Sequence, residues 1–600
     1  MGRHMAVRAG IILALAVMVV APLPTALARN SSLARPTAAE PGPAGVCETD
    51  SPLSVKVTAD ELLLDRYHLG NHPVAVLPHV LTWSEDPFSD RNWVEKLHMM
   101  RYLMALMYQW KASSDQAYLD RALQLVRSWI ARNPLDDPPS EFSWGDHSTA
   151  WRAMTMVCMA QLLPTLDWLD AAITQHGEVL AQPSFYKVNG NHALNQDIGL
   201  LDVGCYLGRT DWEQLAAARI DDYITRSIDE QGVSAEQAVR YDRYTYFRFQ
   251  AARKHLEWCG YPEPDAFHLV DQMPTFLAQA TRPDGYYETI GDSPRSRAAV
   301  IRGTDSEYAA SQGQEGAPPS KTVRVFRAGY AFGRTGWGIQ RDFADEAFFS
   351  LRFGPGTLLG HAHDDGGAVT LYAWGSPLIV DPGFGDYNKT AFRTFFKSRA
   401  AHSAVTAGGV TSRPRTASKL IRKTTSTRSL EVVVQVNVYP GVLLRRRVVF
   451  SRRLGYLLVE DTMSSAAART YRQLWHLPED ADPVTTGTMT WSGRARGNVL
   501  IRQLIAGGST RTITGALDPI QGWISHVYGE REPAPVVEYR QNGKQVRFLT
   551  LLMPYRRGTP TAGVRDLHVT RTGFALSVQS GGSRELVSAT ATGASITTAP

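Results

Sequence analysis

The stretch G-H-A-H-D-D-G-G at 360–367, followed by L-I-V-D-P-G-F-G-D-Y to Tyr387 and A-H-S at 401–403, gathers His361, His363, Asp365, Asp381 and His402 in one short span. Alternate residues of a strand share a face, so His361 and His363 point the same way if the run is extended. Asp381 and His402 can join them from adjacent strands. Two imidazoles and a carboxylate suit a divalent metal, and a third imidazole beside them suits acid–base work.

A second cluster lies far upstream: N-G-N-H at 189–192, then Q-G-V-S-A-E-Q-A-V-R-Y-D-R-Y ending at Tyr244. Its amide, imidazole and phenol groups can donate hydrogen bonds and protons to a reacting substrate. A lone Asn-His pair is otherwise a loop or helix cap. A third stretch, S-W-G-D-H-S-T-A-W-R at 143–152, places His147 and Trp151 four residues apart, on one face of a helix.

These groups need two kinds of element to position them. Six hundred residues exceed one core, and a chain that is 44% apolar and 20% charged is ordinary globular protein. From about 55 to 310 the pattern is helical. Leu119, Leu123, Val126 and Ile130 form one helix face, ended by Asn133-Pro134. Leu97, Met100, Met104 and Met107 make a similar core stripe one helix earlier. G-Q-E-G-A-P-P-S at 313–320 reads as a linker, after which the period becomes two. Leu430, Val432, Val434, Val436 and Val438 alternate with their neighbours, and Pro440-Gly441 turns the chain back. Many short strands over the second half make a β-sandwich or barrel. The R-R-R run at 445–447 reads first as a solvated strand face, with anion binding as the other option.

Arg3 and Arg8 precede an apolar run at 11–21, and Ala26-Leu27-Ala28 supplies a small-x-small cleavage site, so 1–28 reads as a secretory signal and 29–52 as a flexible tether. Export permits disulfides among Cys47, Cys158, Cys205 and Cys259. Cys205 and Cys259 are one candidate pair, and buried thiols are the alternative. The net charge of +5 suits an acidic ligand without demanding one.

The clusters, in this order, resemble the heparinase II/III-like polysaccharide lyases, over most of the chain from W-S-E-D-P-F at 83–88 to Q-L-W-H-L-P at 473–478. The resemblance implies a multidomain α + β protein: an N-terminal (α/α) toroid over 53–315 and a C-terminal antiparallel β-sandwich over 320–600. It implies β-elimination on a uronate-containing acidic polysaccharide, with no organic cofactor and no nucleic-acid partner. The family's Asn-His pair maps onto Asn191 and His192, the first to stabilise the enediolate and the second as a further donor or a base. Gly232, Glu236 and Tyr241 match the family's next offsets, with Ala238 replacing the usual Ser and Asp242 standing where His often follows. Tyr241 becomes the acid for the leaving O4, with Tyr244 and Tyr246 as rivals. His361 falls at the active site. His363, Asp381 and His402 match zinc ligands of relatives, the zinc being mainly structural. Trp144 can stack on a sugar, and His147 and Arg152 can bind carboxylates or sulfates. Glu236 and Tyr387 complete the substrate-facing set, and His476 reads as structural. Two other readings stay open. One is a glycoside hydrolase on the same toroid, pairing Glu236 with Asp197 or Asp242. The other is a non-catalytic acidic-glycan-binding protein.

Overall fold

The computed structural model describes residues 56–354, 360–414, 416–494, 497–558 and 563–598. The signal and tether expected over 1–52 lie outside the described residues.

The first half is helical. Helices Asp146–Leu162 and Asn191–Leu207 are buried on every side over most of their length, as expected of helices lining the inside of a ring of hairpins. Helices Gln116–Arg132 and Thr210–Ser227 each bury one face, the first against Leu103–Ser113 and the second against Asn191–Leu207. The two inner helices approach closely because Gly199 has no side chain: a Cβ there would sit 2.9 Å from the Ala150 carbonyl oxygen. Helix Gln116–Arg132 ends at Asn133, whose side-chain amide donates to the Trp129 carbonyl. One expectation is corrected. Leu97, Met100, Met104 and Met107 do not lie on a single helix. Met100 takes a left-handed conformation, φ 58°, between helices Arg91–Met99 and Leu103–Ser113. Leu97, Met100 and Met107 are nonetheless fully buried, so packing at this corner outweighs helix propensity.

The second half is antiparallel β structure in three layers. A five-stranded sheet runs from Val323–Phe326 to Ser376–Ile379. A ten-stranded sheet is built around two long strands, Leu457–His476 and Val536–Tyr555. The apolar core between them contains Phe349, Val369, Val432, Val434 and Phe450, so these two sheets form the expected sandwich. The strand Ser429–Val436 turns at Pro440-Gly441 and pairs with Val442–Ser451. The third layer is a four-stranded sheet, Gly563–Val569 to Ala594–Thr598. It covers the outer face of the large sheet through a second core that includes Val449, Leu549, Phe574 and Val587.

The halves meet along a polar seam. Gln237 accepts from Arg352 at 3.0 Å, Tyr528 donates to Asp90 at 2.9 Å, and the backbone N–H of Asp292 donates to the His361 carbonyl at 2.9 Å.

Candidate active site

Asn191 opens helix Asn191–Leu207, directly after Gly190 at φ 90°. Its backbone N–H and its side-chain amide both donate to Glu236 Oε1, at 2.6 and 3.2 Å. Glu236 is 2% exposed, so it holds Asn191 rather than meeting substrate, which corrects its expected substrate-binding role. The amide's second hydrogen remains for a ligand.

Tyr241 lies in the first turn of helix Val239–Trp258. Its ring stacks on His361 with centroids 3.4 Å apart and planes 15° from parallel, and its Oη shares a 2.6 Å hydrogen bond with Tyr387 Oη. Burial pushes the Tyr241 phenol above its usual range, and Arg240 only partly offsets this. The phenol is therefore a proton donor at neutral pH. The rival tyrosines are placed otherwise: Tyr244 Oη accepts from Asn195, and Tyr246 is buried.

The segment around His361 and His363 is a turn rather than a strand. The two rings converge all the same, because both bind Asp292. His361 Nδ1 lies 3.0 Å from Oδ2 and His363 Nε2 lies 2.9 Å from Oδ1. Arg393 clamps the same carboxylate with two bonds of 2.7 Å. Burial alone would raise the pKa of Asp292, but the bonds from His361, His363 and Arg393 hold it well below the carboxylate range. Asp292 is thus an ionised acceptor, which places the proton of His361 on Nδ1 and leaves a lone pair on Nε2. That nitrogen is 3.8 Å from Glu236 Oε2.

His402 Nδ1 lies 3.1 Å from Asp381 Oδ2, and the His363 and His402 rings are 5.3 Å apart. Asp381 follows strand Ser376–Ile379 and His402 follows a short 3-10 turn, so both sit on loops and not on adjacent strands. Two buried nitrogens here, His363 Nδ1 and His402 Nε2, have no hydrogen-bond partner among the described residues. The opposite nitrogen of each ring faces a carboxylate. Imidazole and carboxylate are ligand types that zinc takes, and Asp381 faces the His402 ring on the side opposite Nε2.

At the mouth of the cleft, His192 Nδ1 lies 3.3 Å from Asp146 Oδ1 and its ring stacks on His147 at 4.2 Å. Burial works against charge on His192, but the bond to Asp146 prevails and raises its pKa. Asp146 is correspondingly lowered to about 2, because its bonds with His192 outweigh its own burial. His147 behaves oppositely: burial and the neighbouring His192 push it down to about 4. The Trp151 indole N–H and the Asn195 amide both donate to His147 Nε2, at 2.9 Å each, so the His147 proton sits on Nδ1. Glu95, His147 and His192 bring ligand atoms within 4.8 Å of one another. Yet Nδ1 of His147, pointing at Glu95 across 3.4 Å, is already protonated. Within the trio Glu95 faces His147 and His192 stacks on it, with Asp146 bonded to His192 from outside.

Two further expectations are corrected. Arg152 is fully buried. It lies over Trp129 and donates to the carbonyls of His98 and Ser143 and to His176, so it cannot reach a ligand. Trp144 packs on Trp129 and His176 and donates to the Asn133 carbonyl. It is part of the helical core rather than a sugar platform. The groups that sequence reasoning missed are Asp292, Arg393 and Asp146. Asp292 stood in T-I-G-D-S-P at 289–294, with no offset tying it to a histidine far downstream.

A helical ring joined to a β-sandwich, with amide, phenol and imidazole groups meeting at the junction, defines a polysaccharide-lyase architecture. The heparinase II/III N-terminus model matches residues 53–311, and the heparinase II/III-like C-terminal model matches 327–560. The chain belongs to the heparinase II/III-like polysaccharide lyases. It is similar to a heparin-sulfate lyase of Pedobacter heparinus, with 23% identity over 536 residues, covering 81% of this chain and 78% of the relative. It is also similar to one of Bacteroides thetaiotaomicron, with 20% identity over 589 residues, covering 84% and 80%. The crystal structure of heparinase III matches with a TM-score of 0.77 at 18% identity, covering 94% of this chain and 93% of that one. A mutant heparan sulfate lyase from Pedobacter heparinus matches with a TM-score of 0.68 at 19% identity, covering 92% of each.

Proposed function

We propose that this lyase is exported, binds zinc, and cleaves a heparin- or heparan-sulfate-like glycosaminoglycan by β-elimination. The observation that carries the reading is Tyr241 stacked on His361 at the domain junction, with Asn191 held beside them by Glu236. Asn191 and protonated His192 receive the uronate carboxylate and stabilise the charge that spreads into it when the C5 proton leaves. His361 Nε2 takes that proton, its ring oriented by Asp292. The electron pair forms the C4–C5 double bond, the C4–O4 bond breaks, and Tyr241 gives its proton to O4. The name of the two relatives, heparin-sulfate lyase, supports the substrate class.

Zinc, held by His363, Asp381 and His402, would fix the loops that present His361. The hydrolase alternative lacks its carboxylate pair: Asp197 and Asp242 are fully buried and Glu236 is committed to Asn191. Incubating the purified protein with heparan sulfate and other uronate polymers tests the reading. A rise in ultraviolet absorbance from an unsaturated uronate end is expected. Reducing ends released without that absorbance would contradict it.

A further inference from the structure

Arginines 445–447 are not one solvated face. Strand Val442–Ser451 alternates, so Arg446 points into the sandwich, where it is 1% exposed and bonds to both oxygens of Asp461. Arg445 and Arg447 emerge on the opposite face of the ten-stranded sheet, turned away from the five-stranded sheet and the catalytic cleft. There the strand register sets Arg422, Val433, Arg447 and Glu460 in one row, and Gln435, Arg445 and Thr462 in another. Turns of the C-terminal sheet at Arg571-Thr572 and Ala591 overhang these rows and enclose a pocket of about 320 Å³.

The pocket is positively charged and partly pre-set. Glu431 pairs with Arg422 and Arg447, and Glu460 pairs with Arg447 and Arg547. These pairs fix the inner guanidinium groups in place. Arg445 and Arg571, both exposed, add charge without adding acid: Arg445 donates to Gln435 at 3.3 Å, and Arg571 makes no ion pair among the described residues. Five arginines against two glutamates leave three uncompensated positive charges around one concavity. Arg422 and Arg447 spend their forks on these glutamates and on the Ala591 and Thr590 carbonyls, so the open guanidinium groups of Arg445 and Arg571 are the ones that suit carboxylate and sulfate, whose paired oxygens such a fork can bind two at a time.

We infer that this pocket is a second, non-catalytic binding site for a sulfated, uronate-containing polysaccharide, holding the polymer while the cleft cuts elsewhere along it. The choice of ligand rests on the proposed substrate class. The experiment titrates a heparin hexasaccharide into the Tyr241→Phe full-length protein by calorimetry, with and without the Arg445→Ser/Arg571→Ser pair. Two sites per chain are expected, falling to one or weakening roughly tenfold at one site in the double variant. On the wild-type background the double variant should keep its turnover of short oligosaccharides and raise KM only on long polymer. Arg571→Glu alone provides a second test should the double variant fold poorly. Unchanged stoichiometry and affinity in these variants would overturn the inference, and so would equal competition by duplex DNA, which would mark an unselective cationic patch. If no polymer is cleaved by the wild type, the lyase reading fails, and the titration still decides the pocket.

Discussion

Asp292 ties His361, the proposed base, to the rest of the site, and its effect should be separable from simple stability. Asn in its place keeps the size but can donate to His361 Nδ1, which selects the wrong tautomer. Asp292→Asn should therefore lower kcat roughly ten- to a hundredfold while KM changes little, as is typical when an orienting partner is lost; equal kcat in variant and wild type would remove Asp292 from the account. The Asp146–His192 pair gives a pH signature. The raised pKa of His192 makes its contribution to stability fully present below the unfolded value and lost as pH rises through the folded one. Asp146, lowered to about 2, contributes above its unfolded value and loses that contribution as pH falls toward 2. The melting-temperature gap between wild type and Asp146→Asn should thus be widest at mildly acidic pH, between the unfolded values of about 4 and 6.5, and should close as pH rises above that window. A gap that does not vary with pH would contradict the pairing. Asn191, Tyr241 and His361 were legible in the sequence because each sits at a fixed offset in a short motif. Asp292 and Arg393 were not. Their meaning lies in a contact between positions 101 residues apart, and no local pattern encodes it. Arg152 and Trp144 misled because a charged or aromatic residue in a motif reads as functional until its burial is known.

Among the elements, the helices that carry Asn191 and Tyr241 are fastened together at their far ends. Cys205 and Cys259 form a disulfide across a separation of 54 residues, between the end of helix Asn191–Leu207 and the cap of helix Val239–Trp258. Replacing both by Ser should cost about 2–4 kcal/mol, through the loop entropy regained by the unfolded chain. Chemical denaturation measures this, and an unchanged midpoint would contradict it. Gly291 sits where toroid and sandwich touch. It holds φ +68°, and a Cβ there would lie 2.7 Å from Ala238 Cβ and 2.9 Å from the His361 carbonyl oxygen. Gly291→Ala should destabilise the protein by roughly 1–3 kcal/mol and lower activity as well, because the clash falls on the segment carrying His361. Helix and strand territory was readable from period alone, since 3.6 and 2 are distinct repeats. The H-A-H segment was not: its alternation looked like a strand, but the two rings meet at Asp292 from a turn.

The candidate site exists only if the two halves stay in register, since it takes Asn191 and Tyr241 from one and His361 from the other. Two-domain organisation followed from length and the change of period. The third layer did not, because the strands of Gly563–Thr598 alternate like those of any sandwich and only their packing on Val449 and Leu549 shows a separate core. If zinc binds as proposed, chelation should lower the melting temperature and kcat together, and His402→Ala should lose both the metal and the chelator response; metal analysis finding none in carefully purified wild type would end that proposal. Export predicts a mature N-terminus near Arg29, which sequencing of secreted protein checks. The central claim is that Tyr241, held against His361 and Tyr387, delivers the proton that frees the leaving sugar. Tyr241→Phe removes one oxygen and leaves the stack on His361 intact, so the protein should fold with near-native stability. Its kcat for forming unsaturated uronate ends on heparan sulfate should fall by about a hundredfold or more. Near-normal turnover by the folded variant would contradict the mechanism and direct attention to Tyr387.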